Sequence, residues 1–400
     1  MKKKHIRIVI EVLFIILVIL WMANIINKRI NLILYEPDEA AWIYSGYYFN
    51  LYFLKFDLFH KDWTDYDAYD HPPLVKYIVG GTLFLKGYVF DSLEAKKMWR
   101  SIPMNKYASN YGLLISKIPN NALPFIRFVI FIFAFLSVLL FYIFVRIFYG
   151  MLPAIVSTSL LMTNFIFIEV STRILSDPVL LFFFIFFVLL CALYLKSGNN
   201  IFIFFCFVLS SFAFLTKLNG VILIFVLFFV ILVKNRFLIS NYNFKILFFG
   251  FITFLLMTIL INPFFINSGI HGIVKMVEHR VSHIHFQQET FKSGALLSMG
   301  ERFQAGIGTI FFKFSLFNKI IGFPFELILF LLGIYYSVRK RDIILLIILV
   351  FFILPTISIL PLNWKRYYYT VIPFIYIIAG VSLNIFKELK KGGKKINYIK

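Results

Sequence analysis

The amino-acid sequence predicts an all-α, polytopic membrane bundle of about ten transmembrane helices, within roughly nine to twelve, because apolar runs of spanning length recur along it. Of its 400 residues, 61% are hydrophobic and only 15% are charged. The mean hydropathy is +0.87, and a water-soluble domain cannot keep that much apolar surface out of solvent. Lys and Arg fall in short clusters between the apolar runs rather than along one face. The net charge of +21 therefore speaks for membrane topology and against nucleic acid as a partner.

Taken in order, the runs place spans at 7–27, 124–145, 151–168, 178–195, 200–215, 219–233, 245–262, 320–338, 343–360 and 367–386. The first follows the basic start MKKKHIR and has no small-residue cleavage site after it, which reads as a retained signal anchor. Between the spans lie a long first loop, 28–123, a second long loop, 263–318, and after the last run a basic tail, 387–400. The segment HPPLVKYIVGGTLFLKGYVF, 71–90, is apolar but interrupted by Lys76, Lys86 and three glycines. It is expected to lie along the interface rather than to cross. Both cysteines, Cys191 and Cys206, fall inside apolar runs, where they read as small packed residues rather than a disulfide framework.

That treatment of 71–90 decides the orientation. With it uncrossed, the clusters predicted to face the cytoplasm hold 18 basic residues against two acidic ones, Asp342 and Glu388, as short cytoplasmic segments require. Both termini then lie in the cytoplasm of a cell-membrane protein. Nearly every unusual polar residue near a span end falls on the opposite face: Glu36, Asp38, Glu39, His71 and Lys76 in the first loop; Glu169, Arg173 and Asp177; Lys217; Lys365 and Arg366. Ionisable groups held against a bilayer are costly and mark functional sites. Carboxylates with cations at one depth suit a displacement at a sugar C1, in which an acid takes the proton of the attacking hydroxyl and cations neutralise a departing phosphate.

At these residues the sequence resembles the polyprenyl-phosphate-dependent glycosyltransferases of the GT-C superfamily, in the branch of the protein O-mannosyltransferases and lipid A aminoarabinose transferases. The motifs are PDEAAWIYSGYYF after the first span, HPPLVKYIVG, RILSDPVLLFF, FLTKLNGVIL and KRYYYTVIPFIYIIAG. They occur in order over roughly residues 30 to 385. The resemblance implies a mannosyl- or other hexosyltransferase-like enzyme using a dolichyl or undecaprenyl phosphate donor, with inversion. Its acceptor is an extracytoplasmic protein, lipid or glycan. It also implies that Asp38 is the catalytic base with Glu39 as its companion and Asp177 as the second acid. His71, Lys76, Arg173, Lys217, Arg366 and Tyr367 are the expected contacts of the donor and its phosphate. No cofactor is obligatory; a divalent cation is compatible with the chemistry but not required. Relative to that family the sequence has no large soluble domain after its last apolar run.

Plainer readings stand beside these. Acids at 36–39 suit the first turn of a helix, and Asp177 before Pro178 suits an N-cap. Lys217 could snorkel and Arg366 could anchor beside Trp364, while Arg127 at a span entrance reads as an interfacial anchor. The run DWTDYDAYD reads as a solvated loop. His279, His283 and His285 read as polar loop residues, since no HExxH glutamate stands between them. The alternative function is a secondary transporter or flippase of a lipid-linked sugar. It would call for internal repeats and mid-span charges, and neither is evident.

Overall fold

A computed structural model describes residues 2–31, 37–92, 122–236 and 241–390. Among them the secondary structure is helical, with one isolated antiparallel bridge, Ala295 to Leu362, in place of any sheet. Glu36 lies outside the described residues, as do 93–121 of the first loop and 391–400 of the basic tail.

The elements used below are α1 (Lys2–Arg29), α2 (Pro37–Tyr44), α3 (Leu74–Leu85), α4 (Ala122–Phe148), α5 (Met151–Thr163), α6 (Phe165–Ser171), α7 (Ser176–Ser197), α8 (Ile201–Thr216), α9 (Ile222–Lys234), α10 (Asn241–Ile261), α11 (Pro263–Thr290), α12 (Met299–Ile307), α13 (Leu316–Ile321), α14 (Phe325–Lys340), α15 (Ile343–Ser358) and α16 (Ile372–Val381). Five stretches are long and apolar enough to cross a bilayer: His5–Arg29, Ala122–Phe148, Ser176–Ser197, Phe244–Ile261 and Ile372–Leu389. Counting α5 and α6 as one broken span makes six. The protein is thus a polytopic α-helical membrane protein.

The expected runs 200–215, 219–233 and 343–360 form helices at the expected places. The described ones, Ile201–Thr216, Leu218–Lys234 and Ile343–Ser358, are 10 to 17 residues long, so each falls short of the roughly 20 residues a full crossing takes. Helix α3 has 12 residues and reaches about 18 Å at 1.5 Å per residue, too short for a core of about 30 Å. The second long loop is largely helical, because α11 runs through it with a break at Gly269, whose φ of 54° and ψ of −146° suit glycine.

The expected single span 151–168 is bent by 65°. Asn164 causes the bend: its backbone is extended, and its side chain replaces the lost helical partners. Oδ1 accepts the Phe167 N–H at 3.1 Å and Nδ2 donates to the Tyr376 hydroxyl at 2.9 Å. One side chain thus ends α5, caps α6 and ties both to α16.

The chain divides into two compact units. One comprises Met1–Ala23, Val138–Glu169 and Phe291–Lys400; the other comprises Asn24–Ser137 and Val170–Thr290. In the first, α16 packs between α5 and α14. A Cβ on Gly333 would lie 2.0 Å from the Ile378 carbonyl oxygen, so only glycine permits this approach of α14 to α16. In the second, α8 packs between α7 and α10. The first-loop tyrosines Tyr52 and Tyr77 donate to the carbonyls of Leu260 and Ile261 at 2.8 and 2.9 Å. They satisfy acceptors that the end of α10 leaves open, and they seat α3 there.

Candidate active site

The site is built in the second unit, from the start of α2. Pro37 opens that helix and Asp38 and Glu39 occupy its first turn, where a fixed φ and negative charge are both favoured. The two neighbouring acids have different surroundings. Asp38 is half-buried; Glu39 is 0% exposed.

Glu39 meets Arg127, itself 1% exposed, in the first turns of α4. Arg127 donates Nε to Oε1 at 2.9 Å and Nη2 to Oε2 at 2.7 Å, a two-pronged pair that matches guanidinium to carboxylate. Its Nη1 donates to the Ile30 carbonyl at 3.1 Å, and Glu39 Oε1 also accepts the Ile174 N–H at 3.0 Å. Taking these charges out of water costs several kcal/mol per ion, which only such complete pairing offsets. Glu39, expected as the companion of Asp38, has its carboxylate held by a guanidinium and a backbone amide. The reading of Arg127 as an interfacial anchor is corrected. The available signal was a cation one turn inside an apolar run.

The Ile174 bond has a consequence for Asp38. Ile174 lies between Arg173 and Asp177, and Cα atoms step by about 3.8 Å. One hydrogen bond therefore brings the backbone bearing Asp38 to the turn bearing Arg173, Ile174 and Asp177. Arg173 is half-buried; Asp177 is buried in the first turn of α7. The N-cap is Leu175, so Asp177 is the second residue of the helix rather than its expected cap.

Asp177 accepts from Lys217 Nζ at 2.9 Å. Lys217 ends α8, its own backbone extended at φ −159°. An acid at the start of α7 thus pairs with a cation at the end of α8, where each also complements its helix dipole. Acid and phosphate contact were expected separately; the structure joins them.

The first loop encloses more charge than a solvated segment would. Asp62 accepts the Tyr47 hydroxyl at 2.7 Å, and Asp67 is buried, so the solvated-loop reading of this acid run is corrected. Lys76 is 1% exposed; its ammonium donates to the carbonyls of Asp67 and Ala68 and sits 4.8 Å above the Tyr48 ring. His71, half-buried, lies against Trp42 with ring centroids 4.9 Å apart, and its Nε2 is 3.5 Å from Asp70. The other oxygen of Asp70 is 3.4 Å from His279 Nε2, and Tyr66 meets the His279 ring edge-on. His279 and His283 are therefore part of a packed contact between α11 and the first loop. Among the described residues no group of three or more His, Cys, Asp or Glu has the arrangement to hold a metal ion.

Arg366 and Tyr367 belong to the first unit, just before α16. The guanidinium of Arg366 lies 5.0 Å from the Trp364 ring and 5.4 Å from that of Tyr367, and the two rings stack at 17°. Beside them Lys365 pairs with Glu169 at 3.1 Å.

No protein-family model and no curated protein sequence matches the chain. Solved structures do. ArnT from Cupriavidus metallidurans in its apo state superposes with a TM-score of 0.54 at 16% identity, over 95% of this chain and 61% of ArnT. The same protein bound to undecaprenyl phosphate gives 0.55 at 16% identity, over 93% and 60%. The archaeal oligosaccharyltransferase AglB from Archaeoglobus fulgidus gives 0.44 at 14% identity, over 90% and 48%. The chain spans about three fifths of the length of ArnT. Over nearly all of its own length, then, the chain has the fold of ArnT.

Proposed function

We propose that this protein is a membrane glycosyltransferase that moves a sugar from a polyprenyl phosphate to an acceptor hydroxyl, with Asp38 as general base. The observation that carries the reading is the Glu39 node. It holds the helix start bearing Asp38 against the turn bearing Arg173, with Asp177 and Lys217 close behind. The fold likeness to ArnT bound to undecaprenyl phosphate supports a lipid-phosphate donor.

In this reading the Asp38 carboxylate takes the proton of the acceptor hydroxyl as its oxygen attacks the sugar C1 from the face opposite the leaving group. The C1–O bond to phosphate breaks with its electron pair, the anomeric centre inverts, and polyprenyl phosphate departs. Arg173 and the ammonium of Lys217, oriented by Asp177, face the developing phosphate charge, and His71 on its Trp42 support adds a further polar contact. Glu39 is a positioning residue. Arg366 and Tyr367, with a guanidinium framed by two rings, are the resemblance's further candidates for the carrier phosphate. The reading includes cytoplasmic termini, an extracytoplasmic first loop and active site, and a hexose such as mannose as the transferred sugar. The acceptor is a protein, lipid or glycan hydroxyl.

The test is transfer from a labelled polyprenyl-phosphate sugar by the purified protein and by Asp38→Asn, which keeps the size of the side chain but removes its basicity. We expect release of polyprenyl phosphate from the wild type and a loss of at least about a hundredfold in the variant, the scale of general-base catalysis. Near-normal transfer by folded Asp38→Asn sinks the assignment. Transbilayer movement of an intact donor would identify a flippase instead.

A further inference from the structure

In the first unit three lysines, one of them next in sequence to Arg366, converge on one aromatic pair. Phe165 at the start of α6 and Phe314 just before α13 stack with ring centroids 5.8 Å apart and planes 9° off parallel. Lys319 Nζ lies 4.7 Å from the Phe165 centroid and 5.8 Å from that of Phe314. Lys365 Nζ lies 5.6 and 5.3 Å from the same two rings, and Lys313 Nζ 5.6 Å from Phe314. All three lysines are exposed. Each ammonium is within 6 Å of one ring, so no two are farther apart than about 12 Å, close to the screening length of physiological salt. Glu169 pairs with Lys365 at 3.1 Å.

Two segments remote in sequence, 313–319 and the one bearing Lys365, deliver cations to a ring on a third, Phe165. Asn164 bonds Tyr376, which sets the end of α5 beside the first half of α16. Lys319 stands six residues before α14 and Lys365 seven before α16. Phe165 thus follows the end of α5 at the break of that span, and Lys365 precedes α16. Directly beside Lys319, Ile320 and Ile321 are 69% and 59% exposed, an apolar surface that in water would be unfavourable and that an acyl chain would cover. Gathering like charges costs energy unless an anion joins them. The rings hold the ammonium groups without neutralising them.

We propose that Lys313, Lys319 and Lys365, mounted on the Phe165–Phe314 stack, bind the phosphate headgroup of an anionic membrane phospholipid, with its acyl chain along Ile320 and Ile321. A phosphodiester supplies the missing negative charge, and the apolar flank distinguishes a lipid from free phosphate. The site fixes the depth of α13 and α14 in the bilayer, and it does not depend on the transferase reading.

The test uses the full chain in nanodiscs of phosphatidylcholine with a minority of phosphatidylglycerol, and counts the lipids retained on gentle release by native mass spectrometry. Wild type is expected to keep phosphatidylglycerol over phosphatidylcholine. Lys313→Gln/Lys319→Gln is expected to lose that preference by about fivefold per lysine removed, the effect of one basic residue at an anionic surface. Lys319→Arg, which keeps the charge, and Lys275→Gln, in the other unit, are expected to retain it. A thermal melt confirms that each variant is folded. Equal retention of the two lipids by wild type, or an unchanged preference in the double variant, overturns the proposal. Displacement of phosphatidylglycerol by millimolar inorganic phosphate overturns it in favour of a soluble-anion site.

Discussion

Glu39 and Arg127, 88 residues apart in sequence, form a fully buried two-pronged ion pair at 2.9 and 2.7 Å. Their remaining bonds reach the backbone of Ile30 and Ile174. Removing one partner leaves a stranded buried charge, so Glu39→Leu or Arg127→Met alone should cost about 3–5 kcal/mol and expose the protein to unfolding. Replacing both by apolar residues of similar volume should restore much of that stability without restoring the bond to Ile174. The double variant Glu39→Leu/Arg127→Met is therefore expected to melt near wild type yet to transfer sugar at least tenfold more slowly. A double variant that is both stable and fully active would show that the node does not position the site.

For Asp177 and Lys217 the dipoles of the two helices decide which substitutions are tolerated. The pair is mostly buried and bonded at 2.9 Å. Lys217→Met should cost about 1–3 kcal/mol, between the values for surface and fully buried pairs. Exchanging the charges, Asp177→Lys with Lys217→Asp, keeps a pair but sets each charge against its helix terminus, a penalty of about 0.3–1 kcal/mol at each end. Chemical unfolding should therefore rank wild type above the exchange. If Lys217 serves the carrier phosphate, KM for the lipid donor should rise in Lys217→Met more than kcat falls.

Much of this was legible in the sequence, for identifiable reasons. Long apolar runs such as Ala122–Phe148 have few structures open to them in a membrane, and the acidic start of α2 carries a motif. The fates of Arg127 and Lys76 were not legible. A cation at the edge of an apolar run can snorkel to water or pair internally, and the choice rests on partners far away, such as Glu39, or on backbone carbonyls that present themselves only in the folded loop. Full-length crossings could not be told from the shorter α8, α9 and α15, because hydrophobicity reports burial as readily as lipid exposure. The bend at Asn164 escaped notice because one Asn in an apolar stretch has no local signature; its partner Tyr376 is 212 residues away.

At α12 the capping box gives a pH dependence. Ser298 Oγ accepts the Glu301 N–H, and Glu301 in return accepts the N–H groups of Ser298 and Leu297 at 3.1 and 2.7 Å. These backbone bonds hold the Glu301 carboxyl below its ordinary value of 4.5. A depressed folded value means that the stabilisation is complete above the unfolded value and is lost as pH falls through the folded one. Hydrogen exchange at Leu297 and Ser298, relative to its intrinsic rate, should accelerate as pH falls below the ordinary glutamate range. In Glu301→Gln the cap persists without a titrating group, so that acid-dependent acceleration should vanish. Its persistence would trace the effect to another residue.

Asn164 and Tyr376 make the sharpest test of how the first unit is held. Asn164→Leu removes the Oδ1 cap of α6, worth about 1 kcal/mol, and leaves the buried Tyr376 hydroxyl without its donor, a further 1–3 kcal/mol. Tyr376→Phe removes only the hydroxyl and should cost about 1 kcal/mol. In the double variant the hydroxyl penalty no longer exists, so the two effects should fall short of additive by about 1–2 kcal/mol. Asn164→Asp separates the roles further, because its carboxylate still accepts the Phe167 N–H but brings a charge into a buried position and cannot donate to Tyr376. It should be less stable than wild type at neutral pH and recover part of the loss as acid neutralises it. Strict additivity of Asn164→Leu and Tyr376→Phe in unfolding measurements would mean that the bend at residue 164 is imposed by packing alone.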